Sequence, residues 1–491
     1  MSIRMSSQNE AWENPKPAAR YHMAIVGAGA AGLAAAKMAA ALGVRVALIE
    51  RYPMRGGRLN RGTILPSKAF IRTSRLYAEM RDARRYGGQM PGDIDVDFAA
   101  VMERVRRIAA HQGGGDSVQR LAEAGVDMFF GEIRFTGAQT LTVDGAELRF
   151  RKALIATGAR PKESVFPGLA EVGYLTNENV YDLTEMPRRL LVIGGGPLGC
   201  ELAQAFCRLG AQTTIVEEKP LFLGGEERDA AQILSDAFAG DGIEVRLNTR
   251  AVAARIENGC KLVDLVSDDY KNTIAVDAIL TRIGRTPNVA GMNLEAAGID
   301  YDAEIGVRVD DFLRTSNPHI YAAGDVCLKD KYIQTATASA RIVVQNALLR
   351  RHERLSALIV PSCAFTDPEI AHVGLQVREA NRQNIPVKTF TITMQEIDRA
   401  VADSEDRGFV KIHVKEGTDK ILGATIVARH AGDMINEITL AMVAGIGLRT
   451  LAQVIHAYPT QAEAIKKAAD AYNRTRLSPR IQSRLRRLLS R

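Results

Sequence analysis

Two glycine runs are the residues whose types and spacing could do chemistry. Gly27–Gly32 reads GAGAAG and Gly194–Gly199 reads GGGPLG. In each, the first glycine (Gly27, Gly194) permits a tight turn off a strand, and the second (Gly29, Gly196) removes the Cβ that would block a pyrophosphate. The third (Gly32, Gly199) lets helix and strand pack closely. Phosphates bound there sit on free N–H groups at a helix N-terminus, where the helix dipole favours negative charge. An acid closes the next strand in both cases, Glu50 and Glu217, placed to accept hydrogen bonds from ribose hydroxyls. The pair Glu217-Glu218 repels a 2′-phosphate and favours NADH over NADPH, with the nearby Lys219 pulling the other way.

The elements that must position these residues are legible from the same stretches. Met23–Val26 is a short apolar strand, followed by the glycine turn, an alanine-rich helix to Leu42, Gly43 and a strand ending at Glu50. Leu190–Ile193, the second glycine turn, a helix to Leu209, Gly210 and a strand to Val216 repeat the order. Apolar strands joined by a crossover helix are the mark of a buried parallel sheet. Its occurrence twice predicts two similar α/β domains. Past residue 360 the texture changes to an α+β domain without a phosphate loop. Strands are expected at Phe409–Val414 and Ile421–Val427, and helices around 431–446 and 461–474.

The chain's 491 residues, 46% hydrophobic and 25% charged, are those of a soluble globular protein of several domains. A net charge of +7 suits anionic cofactors and does not by itself select a partner; nothing points to nucleic acid. Cys200, Cys207, Cys260, Cys327 and Cys363 form no CxxC pair and no disulfide scaffold, which fits a reduced, cytoplasmic setting. Residues 1–20 are polar, lack the apolar core of a signal peptide and are expected to be disordered. No apolar run is long enough to span a membrane. The last stretch, 476–491, places Ile481, Leu485, Leu488 and Leu489 at helical spacing among six arginines. The plain reading is a terminal helix docked on its own domain; contact with a membrane surface or acidic partner is the alternative.

Further segments give the chain a family likeness. ATGARP (156–161), TRIGRTPN (281–288), TSNPHIYAAGDV (315–326), FTDPEIAHVG (365–374) and HAYPTQAE (456–463) follow the glycine motifs in order. With them the chain resembles the class I pyridine nucleotide–disulfide oxidoreductases over roughly residues 20–475. The resemblance implies FAD on the first glycine motif, a nicotinamide cofactor on the second, and no metal. It implies an FAD-binding domain of 21–160 and 287–358, an NAD(P)-binding domain of 161–286, and a dimerisation domain of 359–475. It also implies a homodimer whose active sites each borrow the 456–463 loop from the partner. The implied cofactor-binding set is Gly27, Gly29, Gly32, Glu50, Arg51, Gly57, Thr157, Gly158, Gly324 and Asp325, together with Gly194, Gly196, Gly199, Glu217 and Gly284. Lys68, in PSK (66–68), would lie beneath the flavin and pair with Glu201; a cation there raises the flavin potential.

Two departures matter. The family's redox-active cysteine pair belongs in the segment that here reads GGRLNRGTILPSK (56–68). Its places hold Leu59 and Ile64, or Arg58 and Thr63 in a register shifted by one. The family's thiol-activating histidine stands directly before the PT, where this chain has Tyr458; the acid that orients it remains as Glu463. Disulfide reduction needs a thiolate nucleophile and an imidazole base, and neither stands in its place. The expectation is therefore an FAD-dependent NAD(P)H:acceptor oxidoreductase passing electrons from flavin directly to a small non-thiol acceptor, quinone-like or another oxidant. Lys68, Glu201, Tyr458 and Glu463 are its expected catalytic residues, with Tyr458 a candidate proton donor. Arg58 and Arg61 would give the vacated site positive character. The similarity of GTILPSK (62–68) to a soluble transhydrogenase motif keeps NAD(P) transhydrogenation as the enzymatic alternative. A non-catalytic, cofactor-sensing dimer is the alternative of another class.

Overall fold

The computed structural model describes residues 12–52, 65–89, 92, 94–112, 118–162, 166–268, 270–281, 284–477, 481–483, 486 and 489. The chain divides into two compact units. The first takes the described residues of Met1–Ile64, Arg106–Glu163 and Gly284–Leu358. The second takes those of Leu65–Val105, Ser164–Ile283 and Ile359–Arg491.

The first unit is built on a mixed sheet. Val126–Phe130, Val46–Glu50, Tyr21–Val26, Ala146–Ile155 and Ile320–Ala322 pair in parallel in that order. The strand Ala146–Ile155 is long enough to serve twice. Its first half pairs antiparallel with Thr140–Val143, and its second half lies beside Tyr21–Val26. Buried parallel strands need apolar residues on both faces, and Met23, Ala24, Ile25 and Leu48 are fully buried. The helix Ala30–Ala41 lies in one core with the helix Ile333–Leu348. Its alanines at 35, 36 and 39 have no exposure, and such small side chains let neighbouring backbones approach closely.

Residues 12–20 correct an expectation. Asn14, read as part of a disordered N-terminus, exchanges two hydrogen bonds with the backbone of Phe130, at 2.7 and 2.8 Å. The Trp12 ring packs edge-on against Phe130. An unpaired strand edge is a row of backbone donors and acceptors, and a side-chain amide satisfies one pair of them. Residues 1–11 lie outside the described residues.

In the second unit a parallel sheet runs Glu244–Arg246, Gln212–Val216, Arg189–Ile193, Ala278–Thr281. An antiparallel sheet of Arg250–Glu257, Cys260–Val266 and Lys271–Val276 accompanies it. A five-stranded antiparallel sheet follows in the order Ser362–Ala364, Glu369–Gly374, Ile421–Ala428, Phe409–Lys415, Val387–Thr393. The helices Ala431–Val443 and Glu463–Arg476 cover it, so the α+β character expected past residue 360 is present. Leu65–Val105, which the family resemblance would place in the FAD-binding domain, falls in this unit. Phe70 on the helix Leu65–Arg81 meets Phe98 edge-on and Phe206 at a tilt, and Phe206 belongs to the helix Pro197–Arg208. Among the described residues of the basic tail, Ile481 and Leu489 are exposed, where a docked helix would bury them. No described helix is long and apolar enough to cross a membrane.

Candidate cofactor and redox sites

The first glycine loop divides its labour in a way that the geometry makes explicit. Gly27 has φ +102°, and a Cβ there would lie 2.5 Å from the Ala156 carbonyl oxygen. A Cβ on Gly32 would lie 1.8 Å from the Gly27 oxygen, so both glycines are demanded by the protein's own backbone. Gly29 is different: a Cβ there meets nothing within 4 Å. Gly29 caps the helix Ala30–Ala41 without any side-chain hydrogen bond, which leaves the first-turn N–H groups to an anion. Glu50 is held at the rim, accepting from the Ala28 N–H at 2.8 Å and the Arg51 N–H at 2.9 Å. A dinucleotide pyrophosphate and ribose fit this cradle, because the space at Gly29 serves no packing purpose within the protein.

The same unit assembles the other expected residues. Gly324, at φ +77°, abuts Ala31 at the start of that helix, and its N–H donates to Ser339 Oγ. Asp325 beside it lies 3.5 Å from Arg285 Nη1, and Arg285 Nη2 donates to the Ala159 carbonyl. Thr157 and Asn288 are tied by two hydrogen bonds, Thr157 Oγ1 to the Asn288 carbonyl at 2.7 Å and Asn288 Nδ2 to the Thr157 carbonyl at 2.8 Å. The strands Ala159–Pro161 and Arg285–Pro287 pair antiparallel next to Gly158 (φ +69°) and Gly284 (φ +90°). Sequence reading missed Arg285, although it lies inside the quoted TRIGRTPN. Gly57, with Arg58, Leu59, Arg61, Thr63 and Ile64, lies outside the described residues.

The second glycine loop repeats the main features of the first. Gly194 has φ +107°, a Cβ on Gly199 would lie 2.3 Å from the Gly194 oxygen, and one on Gly196 meets nothing within 4 Å. Glu217 accepts from the Gly195 N–H at 2.8 Å and the Lys219 N–H at 3.0 Å. Pro197 opens the helix Pro197–Arg208, where its missing N–H costs no hydrogen bond.

That helix also carries Glu201, only 4% exposed. A buried carboxylate requires partners. Glu201 Oε2 accepts from Lys68 Nζ at 2.7 Å and Oε1 from the Phe365 N–H at 2.8 Å. The expected Lys68–Glu201 pair is therefore formed, inside one unit. Tyr181 lies in the same neighbourhood, its phenol pushed up chiefly by burial and further by the Glu201 charge.

The HAYPTQAE loop borders a cleft of about 560 Å³, lined among others by His456, Tyr458, Glu463 and Lys467. Tyr458, 70% exposed, donates from Oη to Asp398 Oδ2 at 2.5 Å. That bond raises its pKa, so the phenol stays protonated across the neutral range. Glu463 does not hold Tyr458; its Oε2 is buried without a partner among the described residues. The His456 side chain is buried, with Nε2 3.1 Å from Glu437 Oε1, so the imidazole is hydrogen-bonded. Sequence reading had no signal for Asp398 or Glu437. Burial pushes up the thiols of Cys200, Cys327 and Cys363, and that of Cys207 to about 11, so none of these four is a ready thiolate.

Residues 21–341 match the family model described as pyridine nucleotide-disulphide oxidoreductase. Residues 360–469 match that family's dimerisation domain. The chain is 31% identical over 456 residues to a mercuric reductase of Lysinibacillus sphaericus, covering 92% of this chain and 83% of that one. It is 32% identical over 448 residues to a dihydrolipoyl dehydrogenase of Chlamydia pneumoniae, covering 90% and 95%. Among solved structures, LpdA from Mycobacterium tuberculosis superposes with a TM-score of 0.81 at 29% identity, covering 92% of this chain and 99% of that one. The HOCl-induced flavoprotein disulfide reductase RclA from Escherichia coli gives 0.80 at 27% identity, with the same coverage.

Proposed function

The chain belongs to the pyridine nucleotide–disulphide oxidoreductase family and is an FAD-dependent oxidoreductase served by NAD(P)H; from that premise we propose that it delivers electrons to a small non-thiol acceptor, quinone-like in character. One observation carries this reading. The Lys68–Glu201 pair and both cradles are intact, and the sequence from Gly56 to Lys68 contains no cysteine.

The first unit's Gly29 cradle, Glu50, Arg285 and Asp325 would hold FAD, and the Gly196 cradle and Glu217 would hold the nicotinamide cofactor. Bound there, FAD would supply two-electron redox chemistry between the nicotinamide cofactor and the acceptor. Lys68 contributes a fixed positive charge, kept in place by a carboxylate whose two oxygens are both committed. Glu217, anchored through Gly195 and Lys219, would hold the ribose of the nicotinamide cofactor, and its negative charge would disfavour a 2′-phosphate and so favour NADH. Leu440, Val443 and Ile455 are exposed on the dimerisation domain, and burying them against a second copy suits a homodimer. In such a dimer the Tyr458–Glu463 cleft would line the acceptor side, with Tyr458 as proton donor after it leaves Asp398.

Steady-state NADH oxidation by the purified holoenzyme tests this, with a soluble quinone, an aromatic disulfide, oxidised lipoamide, mercuric ion and thio-NAD as parallel acceptors. The quinone should be reduced at least tenfold faster than either disulfide or the metal ion. Disulfide reduction matching the quinone rate would overturn the proposal, and fast thio-NAD reduction would favour the transhydrogenase reading suggested by GTILPSK.

A further inference from the structure

The Lys68–Glu201 pair is gripped from a third side. The Phe365 ring lies against the same ammonium, 4.0 Å from Nζ to the ring centroid, while the Phe365 N–H holds the free oxygen of Glu201. One residue thus touches both halves of the pair, its amide satisfying the acid and its π face the cation. A lysine ammonium has three N–H groups. One goes to Glu201, one side faces the ring, and among the described residues no further acceptor meets the remainder.

The turn that presents Phe365 is itself pinned by helical spacing. Gln204 follows Glu201 by one helical turn. Its Oε1 accepts from the Asp367 N–H at 2.7 Å, and its Nε2 donates to the Asp367 carbonyl at 2.9 Å. Arg208, two turns after Glu201, donates to Asp367 Oδ2 at 2.7 Å. Arg75, two turns after Lys68 on the other helix, donates to the Thr366 carbonyl at 3.1 Å. Residues spaced this way share one helix face. Two helices therefore hold a single turn, and each helix supplies one member of the ion pair.

We propose that Phe365 is a positioning residue for the flavin chemistry: its ring and amide fix where the Lys68 ammonium sits and shield one side of it from water. This rests on the reading that the Lys68–Glu201 pair serves the flavin. A shielded, immobile cation exerts a stronger field than a hydrated one that can swing. Loss of the ring should weaken that field without removing the charge.

The test uses the FAD-loaded enzyme with Phe365→Leu, Phe365→Met and Phe365→Tyr beside Lys68→Met. Midpoint potential of the flavin and its visible spectrum are measured, with kcat and KM for NADH. Lys68→Met should lower the potential, and Phe365→Leu and Phe365→Met should lower it in the same direction by less. Their kcat for flavin reduction should fall about fivefold, with KM for NADH within about twofold of wild type. Phe365→Tyr, which keeps the π face, should restore both potential and rate. If Lys68→Met shifts the potential while Leu and Met at 365 do not, the positioning role is wrong. If Lys68→Met itself leaves the potential unchanged, the flavin reading of the pair fails, and the proposal with it. The methionine variant keeps side-chain bulk, so a folding defect confined to leucine does not decide the matter.

Discussion

The two glycine loops solve one problem with one backbone and then part company. At Gly27–Gly32 and Gly194–Gly199 the turn glycine, the open glycine, the packing glycine and the rim acid occupy equivalent places. Beyond the loops the helices differ. Ala30–Ala41 is mostly alanine, with Lys37 its one charged residue, whereas Pro197–Arg208 carries Glu201, Gln204 and Arg208 along one face. Phosphate binding needs backbone N–H groups and empty space, which any small-residue helix provides. Holding a buried ion pair and the turn beside it needs particular side chains, and of the two helices only the second has them. The second loop is also braced from its far side. The Leu223 N–H donates to the Gly195 carbonyl at 2.9 Å. A few residues on, Glu227 is held by Lys411 at 2.5 Å and His413 at 2.9 Å on the five-stranded sheet.

The largest expected effect breaks the equivalence of the glycines within a loop. Gly32→Ala drives a methyl into the Gly27 carbonyl and should cost about 3 kcal/mol of stability, with loss of bound flavin. Gly29→Ala should leave the unfolding of flavin-free protein unchanged and still abolish flavin retention. Thermal melts with flavin quantitation read both, and equal melting losses at 29 and 32 would contradict the division of labour.

Next in size is the brace. Burial pushes the Glu226 carboxyl up to about 7 against opposing effects of Arg378 and Arg228, and Glu227 presses in the same direction as burial. The folded protein keeps that proton while the unfolded chain loses it near its ordinary value, so stability falls as pH rises from about 4.5 to about 7. Glu226→Gln should flatten this slope and stabilise the protein at pH 8 by about 2 kcal/mol in denaturant titrations. Glu227, lowered to about 2 through His413 and Lys411 despite its burial, works oppositely: its stabilisation is present above about 4.5 and is lost as pH falls through about 2. A slope unchanged by Glu226→Gln would remove Glu226 from the account.

Glu217→Gln sharpens the comparison of the two rim acids. It should raise KM for NADH about tenfold, narrow the NADH/NADPH ratio of kcat/KM, and leave flavin content intact. Glu50→Gln should do the reverse, weakening flavin retention with little change in KM for NADH. The smallest expected effect is at Tyr458→Phe, which should slow quinone reduction about threefold and spare flavin reduction by NADH. An equal loss in both half-reactions would place Tyr458 outside the acceptor step.

How much of this was legible before the structure follows the range of the interactions. The glycine loops, their acids and their strands are set within about thirty residues, where turn conformation, helix start and apolar period are local properties. The α+β texture past residue 360 is legible for the same reason. Asn14 on Phe130 and Tyr458 on Asp398 join residues distant in the chain, and no local pattern marks them. The packing of Leu65–Arg81 against Pro197–Arg208 was likewise hidden, because Phe70 and Phe206 are ordinary apolar residues until they meet.

By itself the sequence determined that two dinucleotide cradles exist, that an acid closes each, and that no cysteine stands between Gly56 and Lys68. Those are matters of residue type and short spacing. Only the tertiary structure decided that Phe365 lies against Lys68 while its amide holds Glu201, and that Glu463 is not the partner of Tyr458. The reason is physical: a glycine's freedom is intrinsic to the residue, whereas a charge takes its position from whatever the fold packs around it.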